Sequence, residues 1–210
     1  MLPDLSEEHA LLTAGYSHIA GIDEAGRGAW AGPVYAAAVV LPLDRSNLVE
    51  MLDGVRDSKL LSPARRETLL PIIEEVALAV GVGRADPAEI DEMGIAPATR
   101  QAMVRALSSL NGQINALLID YVRLPEIDLH QRAFPKADAR CLSVAAASIV
   151  AKVTRDQLMA QLDEELPGYG FAQHKGYGTR QHRQALARLG PSPIHRMSWR
   201  PLQTLSEAGK

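Results

Sequence analysis

Residues 21–28 carry the side chains with the clearest chemical potential. Asp23 and Glu24 are adjacent carboxylates that follow a short apolar run, and Arg27 stands between two glycines. Neighbouring carboxylate oxygens suit a hard divalent cation such as Mg²⁺. A glycine-flanked arginine suits close approach of the backbone to a phosphate or a sugar. A metal site beside an anion-binding turn predicts phosphodiester chemistry.

Two further carboxylates are candidates for the same site. Asp120 ends an apolar run at residues 115–120 that predicts a buried strand, and Asp138 precedes a long helix predicted for residues 143–166. Each also fits a structural role, because a strand end can face water and a helix N-terminus favours a carboxylate. Chemistry gathers at strand ends in sheets flanked by helices, so we expect these acids to lie near Asp23.

The adjacency of Asp23 and Glu24 imposes a geometric condition. Neighbouring residues of a regular strand point to opposite faces of the sheet. A strand predicted for residues 18–23 meets the condition by ending between the two acids, and Gly26 and Gly28 favour a break there. The two carboxylates can then share one site.

Composition predicts an ordinary globular protein of a reducing compartment. The chain has 210 residues, of which 47% are hydrophobic, and Cys141 is its single cysteine, which excludes an internal disulfide and a cysteine-based zinc cluster. The N-terminal residues include Asp4, Glu7 and Glu8 and lack the order of a signal peptide. The longest uncharged run, residues 29–43, is too short to span a bilayer. We therefore expect a cytoplasmic protein with no membrane partner.

The charge is unevenly distributed along the chain. The net charge is −3, but residues 166–205 contain no Asp or Glu and carry +6, which leaves −9 for the rest. The basic residues of this segment are Lys175, Arg180, Arg183, Arg188, Arg196 and Arg200. Such asymmetry is typical of a basic nucleic-acid-binding face joined to an acidic body, and a solvated helix is an equally good interpretation.

The remaining patterns predict alternating strands and helices. Strands are expected at residues 18–23, 32–41, 76–84, 115–120 and 127–134. Helices are expected from residue 63, and at residues 87–93, 98–110, 143–166 and 179–189. Pro71 should kink or split the first helix, and the glycine-rich residues 168–178 should form a loop. This order predicts an α/β fold with a mixed sheet flanked by helices.

Five motifs, in this order, closely resemble those of bacterial ribonuclease HII. They are DEAGRG at residues 23–28, DSKLLS at 57–62, LLID at 117–120, AAASIVAKVTRD at 145–156 and YGFAQHKGYG at 169–178. The match covers nearly the whole chain, from about residue 19 to residue 201. DEAGRG alone is fairly specific, and the ordered set is very specific.

The resemblance implies an RNase H-like fold, with a mixed central sheet and a helical C-terminal extension. We expect a catalytic domain at residues 1–166 and a substrate-binding extension at 167–210, packed on it and ending in a disordered tail at 206–210. The family hydrolyses RNA in RNA/DNA hybrids and cuts at single ribonucleotides embedded in duplex DNA. A monomer acting on these two duplexes is the expectation.

The resemblance also assigns a metal site. The four family acids fall on Asp23, Glu24, Asp120 and Asp138, which would bind two divalent ions, Mg²⁺ or Mn²⁺. Two-metal catalysis predicts products with a 5′-phosphate and a 3′-hydroxyl. Such an oxygen-ligand site needs no imidazole, so His174 and His182 are interpreted as surface or phosphate contacts.

The substrate-binding residues that the resemblance implies are Gly26, Arg27, Gly28, Ser58, Lys59 and Tyr177. The backbone of the 26–28 turn would touch the ribose 2′-hydroxyl, and Tyr177 would meet the same group. Ser58, Lys59 and the side chain of Arg27 would contact phosphates. The alternatives are a loop aromatic covering apolar surface for Tyr177, and a solvated turn for the others.

The chain departs from the family pattern at two places near the acids. Ala137 stands where many relatives have glycine before the last acid, so Ala137 should be strained if that glycine supplies an unusual backbone angle. Tyr121 and Val122 follow Asp120, where some relatives have Gly-Asn. Asp128 is a rival to Asp138 as the fourth ligand because it is nearer to Asp120 in sequence.

Two other functions are weighed against this one. A non-catalytic hybrid-binding module would explain the basic segment, but carboxylates near phosphate weaken binding unless a metal bridges them. A DNA nuclease or strand-transfer enzyme of the same fold would use similar acids. The 26–28 turn and Tyr177 argue against it, because they are the features expected to detect a 2′-hydroxyl.

Overall fold

A five-stranded mixed sheet forms the framework of the computed structural model, which describes residues 2–208 and the side chains of residues 2–204. The strands are β1 (Ile19–Ala25), β2 (Val34–Val40), β3 (Ala79–Ala85), β4 (Ala116–Asp120) and β5 (His130–Phe134). Their order across the sheet is β3-β2-β1-β4-β5. β1, β4 and β5 are parallel, and β2 runs antiparallel to both of its neighbours.

Helices cover both faces of this sheet and build the C-terminal extension. They are α1 (Ser6–Thr13), α2 (Leu48–Met51), α3 (Pro63–Val76), α4 (Pro87–Met93), α5 (Ile95–Ser108), α6 (Leu142–Glu165), α7 (Phe171–His174), α8 (Arg180–Leu189) and α9 (Arg200–Ala208). Short 3-10 turns lie at Ser58–Leu60 and Ala137–Ala139. The α/β fold with a mixed sheet and a helical C-terminal part is confirmed.

Small residues allow the helices to approach the sheet closely. A Cβ at Gly21 would overlap the backbone at Ser143, so α6 lies directly against β1. On the other face, Cβ atoms at Gly81 and Gly83 would overlap carbonyl oxygens of α5. Every residue of β2 is buried because helices cover both of its faces, and this explains its unbroken apolar sequence.

Local signals locate several helix ends. Ser62 accepts a hydrogen bond from Arg65 N–H at the start of α3, and Asp86 and Glu89 form the capping box of α4. Thr179 caps α8 in the same manner as Ser62. Pro71 does not split α3, which runs unbroken from Pro63 to Val76. It lies on the exposed side of the helix, where water can replace the lost backbone hydrogen bond.

The C-terminal extension packs on the end of α6 through its own small core. Tyr169, Phe171 and Leu186 cluster with Met159 of α6 and Ala31. The loop predicted for residues 168–178 is wrong in part, because Phe171–His174 forms the helical turn α7. The tail predicted as disordered covers residues 206–210; residues 206–208 belong to α9, and 209 and 210 lie outside the described residues.

Membrane insertion through a helix finds no support in this fold. Across residues 2–208, none of the helices combines the length and the apolar character that crossing a bilayer requires.

Candidate active site

The parallel pairing of β1 with β4 brings two distant acids to one edge of the sheet. Ile22 pairs with Ile119, so Asp23 and Asp120 occupy the next position along this register. Asp138 reaches the same edge from the 3-10 turn after β5, and the N–H of Ala137 in that turn donates to Asp120 Oδ1 at 2.8 Å. The fold thereby brings together acids that lie far apart in the sequence.

Glu24 joins this group by a different geometry from the predicted one. The strand does not end between Asp23 and Glu24, because β1 continues to Ala25. Its pairing with β4, however, stops at Ile22, so both acids are paired only on the β2 side. The charge of Asp120 raises the pKa of both Asp23 and Glu24. This is consistent with one site shared by the three acids where the pairing with β4 has ended.

Burial among like charges disturbs these carboxyl groups. Burial raises the pKa of Asp23 well above its ordinary value, and the charges of Glu24, Asp120 and Asp138 raise it further. Burial also raises the pKa of Glu24, although Arg27 opposes this change. The pKa of Asp138 rises to about 6 through burial and the charges of Asp57 and Asp120. A bound cation would relieve this repulsion.

The donor set suits a divalent ion. Glu24 Oε2 is buried and has no hydrogen-bond partner among the described residues, which is costly unless something else binds it. Carboxylate oxygens are the ligands that Mg²⁺ and Mn²⁺ prefer. In the described part of the chain, no three His, Cys, Asp or Glu side chains are already spaced to hold a metal. Coordination by three of these acids therefore requires side-chain rotation.

The turn at residues 57–59 lies against the edge of the sheet that carries the four acids, which we call the carboxylate edge. Lys59 Nζ is 3.9 Å from Asp138 Oδ2, and the Lys59 side chain is 74% exposed. Burial lowers the pKa of Lys59, but the charges of Asp23, Asp57 and other nearby acids outweigh it and raise the pKa overall. Ser58 is buried, donates its N–H to Ser148 Oγ and is less accessible to a phosphate than Lys59.

The glycine-arginine-glycine turn lies beside Tyr177. Gly26 has φ +88, and a Cβ at this position would overlap the guanidinium of Arg155. A Cβ at Gly28 would lie 4.0 Å from Tyr177 Cε1. The two features expected to recognise a 2′-hydroxyl are therefore neighbours, and glycine is required at residue 26 for both conformation and space.

Two buried arginines, Arg155 and Arg196, hold these segments, and neither role could be predicted from the sequence. Arg196 donates to Gly26 O at 2.7 Å and to Arg27 O at 2.9 Å. Arg155 donates to Lys175 O at 3.0 Å, next to the Tyr177 loop. Burial lowers the pKa of Arg196 to about 9, so its guanidinium stays charged at neutral pH. Arg196 thus supports the turn and does not belong to an exposed basic face.

Three buried histidines, His174, His182 and His195, contact one another next to the backbone of Tyr177. His182 Nδ1 lies 3.1 Å from Tyr177 O, and because a carbonyl only accepts, this nitrogen donates. His182 Nε2 then accepts from His195 Nε2 at 2.9 Å. His174 is also buried. The interpretation of His174 and His182 as surface or phosphate contacts is wrong, because both pack inside the extension and bond to backbone groups.

Two expectations about the residues near the acids, the strain at Ala137 and the rivalry of Asp128 with Asp138, are wrong. Lys136, not Ala137, has the left-handed backbone, with φ 60, so Ala137 is not the strained residue. Asp128 is exposed and precedes β5, whose first residue pairs with the first residue of β4. It therefore lies toward the opposite edge of the sheet from Asp120 and is not a rival to Asp138. A fifth acid, Asp57, was not predicted, and its negative charge contributes to the raised pKa of Asp138.

A sheet of this topology, with acids gathered at one edge beside a basic turn, defines a metal-dependent nuclease of RNase H-like fold. The family model for ribonuclease HII matches residues 20–202. The chain belongs to the ribonuclease HII family.

Curated relatives are similar to this chain over nearly its whole length. Ribonuclease HII of Chloroflexus aurantiacus is 56% identical over 202 residues, which cover 96% of this chain and 95% of the relative. Ribonuclease HII of Dehalococcoides mccartyi is 52% identical, with 96% and 94% covered. The chain is accordingly a metal-dependent ribonuclease H that acts on RNA/DNA hybrids, which sets aside both the binding module and the DNA nuclease.

Solved structures share the fold. Ribonuclease H2 from Pyrococcus horikoshii superposes with a TM-score of 0.75 at 28% identity, covering 91% of this chain and 98% of that one. RNase HII from Archaeoglobus fulgidus, solved in complex with PCNA, gives 0.73 at 30% identity, with 88% and 96% covered. Bst-RNase HIII in complex with Mn²⁺ gives 0.67 at 20% identity and shows the fold alone.

Proposed function

We propose that this ribonuclease H also nicks duplex DNA on the 5′ side of a single embedded ribonucleotide. It would use two divalent ions, Mg²⁺ or Mn²⁺, and leave a 5′-phosphate and a 3′-hydroxyl. The observation that carries this proposal is that the 26–28 turn and Tyr177 are neighbours, since Tyr177 Cε1 lies 4.0 Å from where a Cβ at Gly28 would be. A single ribonucleotide offers only one 2′-hydroxyl, so its recognition needs a compact site next to the scissile bond.

Asp23, Glu24, Asp120 and Asp138 are proposed to hold the ions. When bound, two ions would activate a water and stabilise the departing 3′ oxygen. The buried, unpartnered Glu24 Oε2 and the raised pKa of Asp23 support this assignment. Lys59, beside Asp138, is proposed to pair with the phosphate next to the scissile bond.

The backbone of the 26–28 turn is suited to recognise a hydroxyl group. Arg196 donates hydrogen bonds to the carbonyl groups of Gly26 and Arg27. The N–H groups of Arg27 and Gly28 make no hydrogen bond within the described residues. Fixed N–H groups of this kind can donate to a 2′-oxygen. A site that hydrogen-bonds a hydroxyl can reject the analogue without it by roughly 10⁴–10⁵-fold. That factor suits the detection of one ribonucleotide among deoxynucleotides.

Tyr177 is proposed to complete this recognition. Its ring lies near the cationic groups of Lys152 and Arg155, at 5.8 and 5.5 Å. Its carbonyl is held by His182. These contacts hold the ring in place, so that it can pack on the sugar that follows the ribonucleotide.

The test is cleavage of matched duplexes that contain none, one or several ribonucleotides, with Mg²⁺ or Mn²⁺ and with chelator. We expect cuts 5′ of the single ribonucleotide, no cuts in all-DNA duplex, and no activity with chelator. Tyr177→Ala should reduce cutting at the single ribonucleotide more than it reduces duplex binding. A protein that cuts long hybrids but leaves the single-ribonucleotide duplex intact would refute the proposal. Monomeric state and cytoplasmic location stay predictions.

A further inference from the structure

Tyr121 combines exposure with an unfavourable backbone conformation. It directly follows Asp120, has φ 62, and the residue is 63% exposed. A left-handed conformation is disfavoured for any residue except glycine. An exposed ring recovers little of that cost through burial. Stability of the fold therefore does not explain a tyrosine at this position.

The backbone around Tyr121 presents its side chain at the edge of the site. The Tyr121 N–H donates to Phe134 O at 3.1 Å, and the Val122 N–H donates to Asp120 O at 2.7 Å. The chain therefore turns immediately after the candidate ligand Asp120. Tyr121 is also the one aromatic residue among the exposed large hydrophobic side chains of the described chain.

Backbone strain of this kind is concentrated around the site. Within the described residues, three non-glycine residues have positive φ: Tyr121, Lys136 and Lys175. Tyr121 follows Asp120, while Lys136 and Lys175 each lie two residues before a proposed site residue, Asp138 and Tyr177. Unfavourable backbone conformations cluster where function requires a side chain in a particular place.

A cation links Tyr121 to the 26–28 turn. The guanidinium carbon of Arg27 lies 5.8 Å from the centre of the Tyr121 ring, and Arg27 Nη1 lies 3.7 Å from Glu24 Oε1. The ring and the carboxylate thus hold the Arg27 side chain between them. Any group that packs on Tyr121 would also be next to this cation.

We propose that Tyr121 is a substrate-binding residue whose ring packs on a sugar of the bound duplex and directs Arg27 to the adjacent phosphate. This rests on the proposed placement of Asp120 and Arg27 in the active site. Bases within a duplex stack on one another, so a ring at the surface of the duplex meets sugars and phosphates. The contact would therefore be independent of base sequence.

The test compares Tyr121→Gly and Tyr121→Phe with the wild type on a uniform RNA/DNA hybrid. Loss of an aromatic contact with nucleic acid should raise KM by about 5- to 10-fold in Tyr121→Gly and leave kcat within about 2-fold. Tyr121→Phe should keep KM within about 2-fold, because the ring remains. Relief of the left-handed strain should raise the thermal midpoint of Tyr121→Gly by about 2–4 °C.

Leu78→Ala is the matched control. Leu78 is an exposed apolar residue whose N–H bonds to Val40, near the sheet edge opposite the acids, and its loss should leave KM unchanged. An unchanged KM in Tyr121→Gly would overturn the proposal. So would equal increases in KM for the glycine and phenylalanine variants, or a lower kcat together with a lower thermal midpoint. Because the hybrid is a substrate of the family, these outcomes do not depend on cutting at single ribonucleotides.

Discussion

At the carboxylate edge, buried acids of like charge lie beside one another, whereas in the C-terminal extension the buried Arg196 and the buried histidines bond to neutral groups. Asp23 and Glu24 have raised pKa values, and one oxygen of Glu24 has no partner. Arg196 donates to three carbonyl groups, those of Gly26, Arg27 and Gly32. Both regions bury charged groups, but only in the extension does the fold itself supply hydrogen-bond partners for the charged group.

The difference indicates what each region does. Repulsion between carboxylates that the fold does not compensate favours the binding of cations. Removing one of these acids should therefore not destabilise the fold. A buried cation with complete hydrogen bonds holds its partners in place, and removing it leaves carbonyl groups without donors. The acids are therefore suited to bind ions, and the arginine is suited to position the 26–28 turn.

The largest effect is expected from Asp23→Asn. Cleavage of an RNA/DNA hybrid should fall by ~10³-fold or more, equivalent to ~4 kcal/mol of transition-state stabilisation. The metal-free thermal midpoint should stay equal or rise, because a buried like charge is removed. Mg²⁺ or Mn²⁺ should raise the midpoint of the wild type but much less that of the variant.

Asp128→Asn serves as the control for this prediction, because Asp128 is exposed and lies away from the edge. It should leave both cleavage and metal stabilisation unchanged. A strongly destabilised Asp23→Asn protein would show that Asp23 is satisfied within the fold, and would remove the contrast between the two regions.

Arg196→Met should have the next largest effect, on stability and on recognition together. Loss of the donors to the 26–28 turn should lower the free energy of unfolding by about 3–5 kcal/mol. At a temperature where the variant is folded, the preference for a ribonucleotide over a deoxynucleotide at the cut site should also decrease. Unfolding in urea and cleavage of paired substrates measure the two effects.

The matched control is Arg180→Met, in the same basic segment but on an exposed surface. It should leave the free energy of unfolding and the ribonucleotide preference unchanged. An Arg196→Met protein that is less stable but keeps full ribonucleotide preference would show that Arg196 supports the fold without positioning the turn.

A smaller effect is expected from pH. Burial lowers the pKa of His182 and of His195 to about 4, against about 6.5 in an unfolded chain. Folding therefore favours the neutral rings: their stabilising contribution is complete above pH ~6.5, decreases as the pH falls, and is lost below about 4. The raised pKa of Asp138 acts in the opposite direction, because its carboxylate is destabilising at neutral pH.

His195→Asn separates these contributions, since the carboxyl groups are common to both proteins. The variant should be less stable than the wild type at pH 7 but lose less stability between pH 7 and pH 5, with a difference of about 2 kcal/mol. Urea unfolding at the two pH values measures it. Parallel losses in the two proteins would mean that His195 does not need to stay neutral.

Features with a local period or a local partner could be predicted from the sequence. The capping box at Asp86 and the N-cap at Ser62 lie within one turn of their partners. The meeting of Asp23 and Asp120 followed from two buried apolar runs that are each followed directly by an acid, although β1 continues past Asp23 to Ala25. In these cases the physical cause is contained in a few neighbouring residues.

Long-range polar contacts could not be predicted in this way. Arg196 reaches the carbonyl of Gly26 across 170 residues, and nothing in its neighbourhood distinguishes it from the exposed arginines of the same segment. The burial of His182 depends on a separate small core, and Asp57 joins the acids only because a 3-10 turn brings it there. A residue's type does not reveal which distant backbone group it will meet.

The overlap that forbids a side chain at Gly26 has a wider consequence. The guanidinium of Arg155 that fills this space also donates to Lys175 O and lies under Tyr177. One side chain therefore acts as a spacer that sets the width of the gap between the 26–28 turn and the tyrosine. A side chain at residue 26 would collide with this guanidinium and is expected to change the width of that gap, which would impair the sugar recognition proposed above.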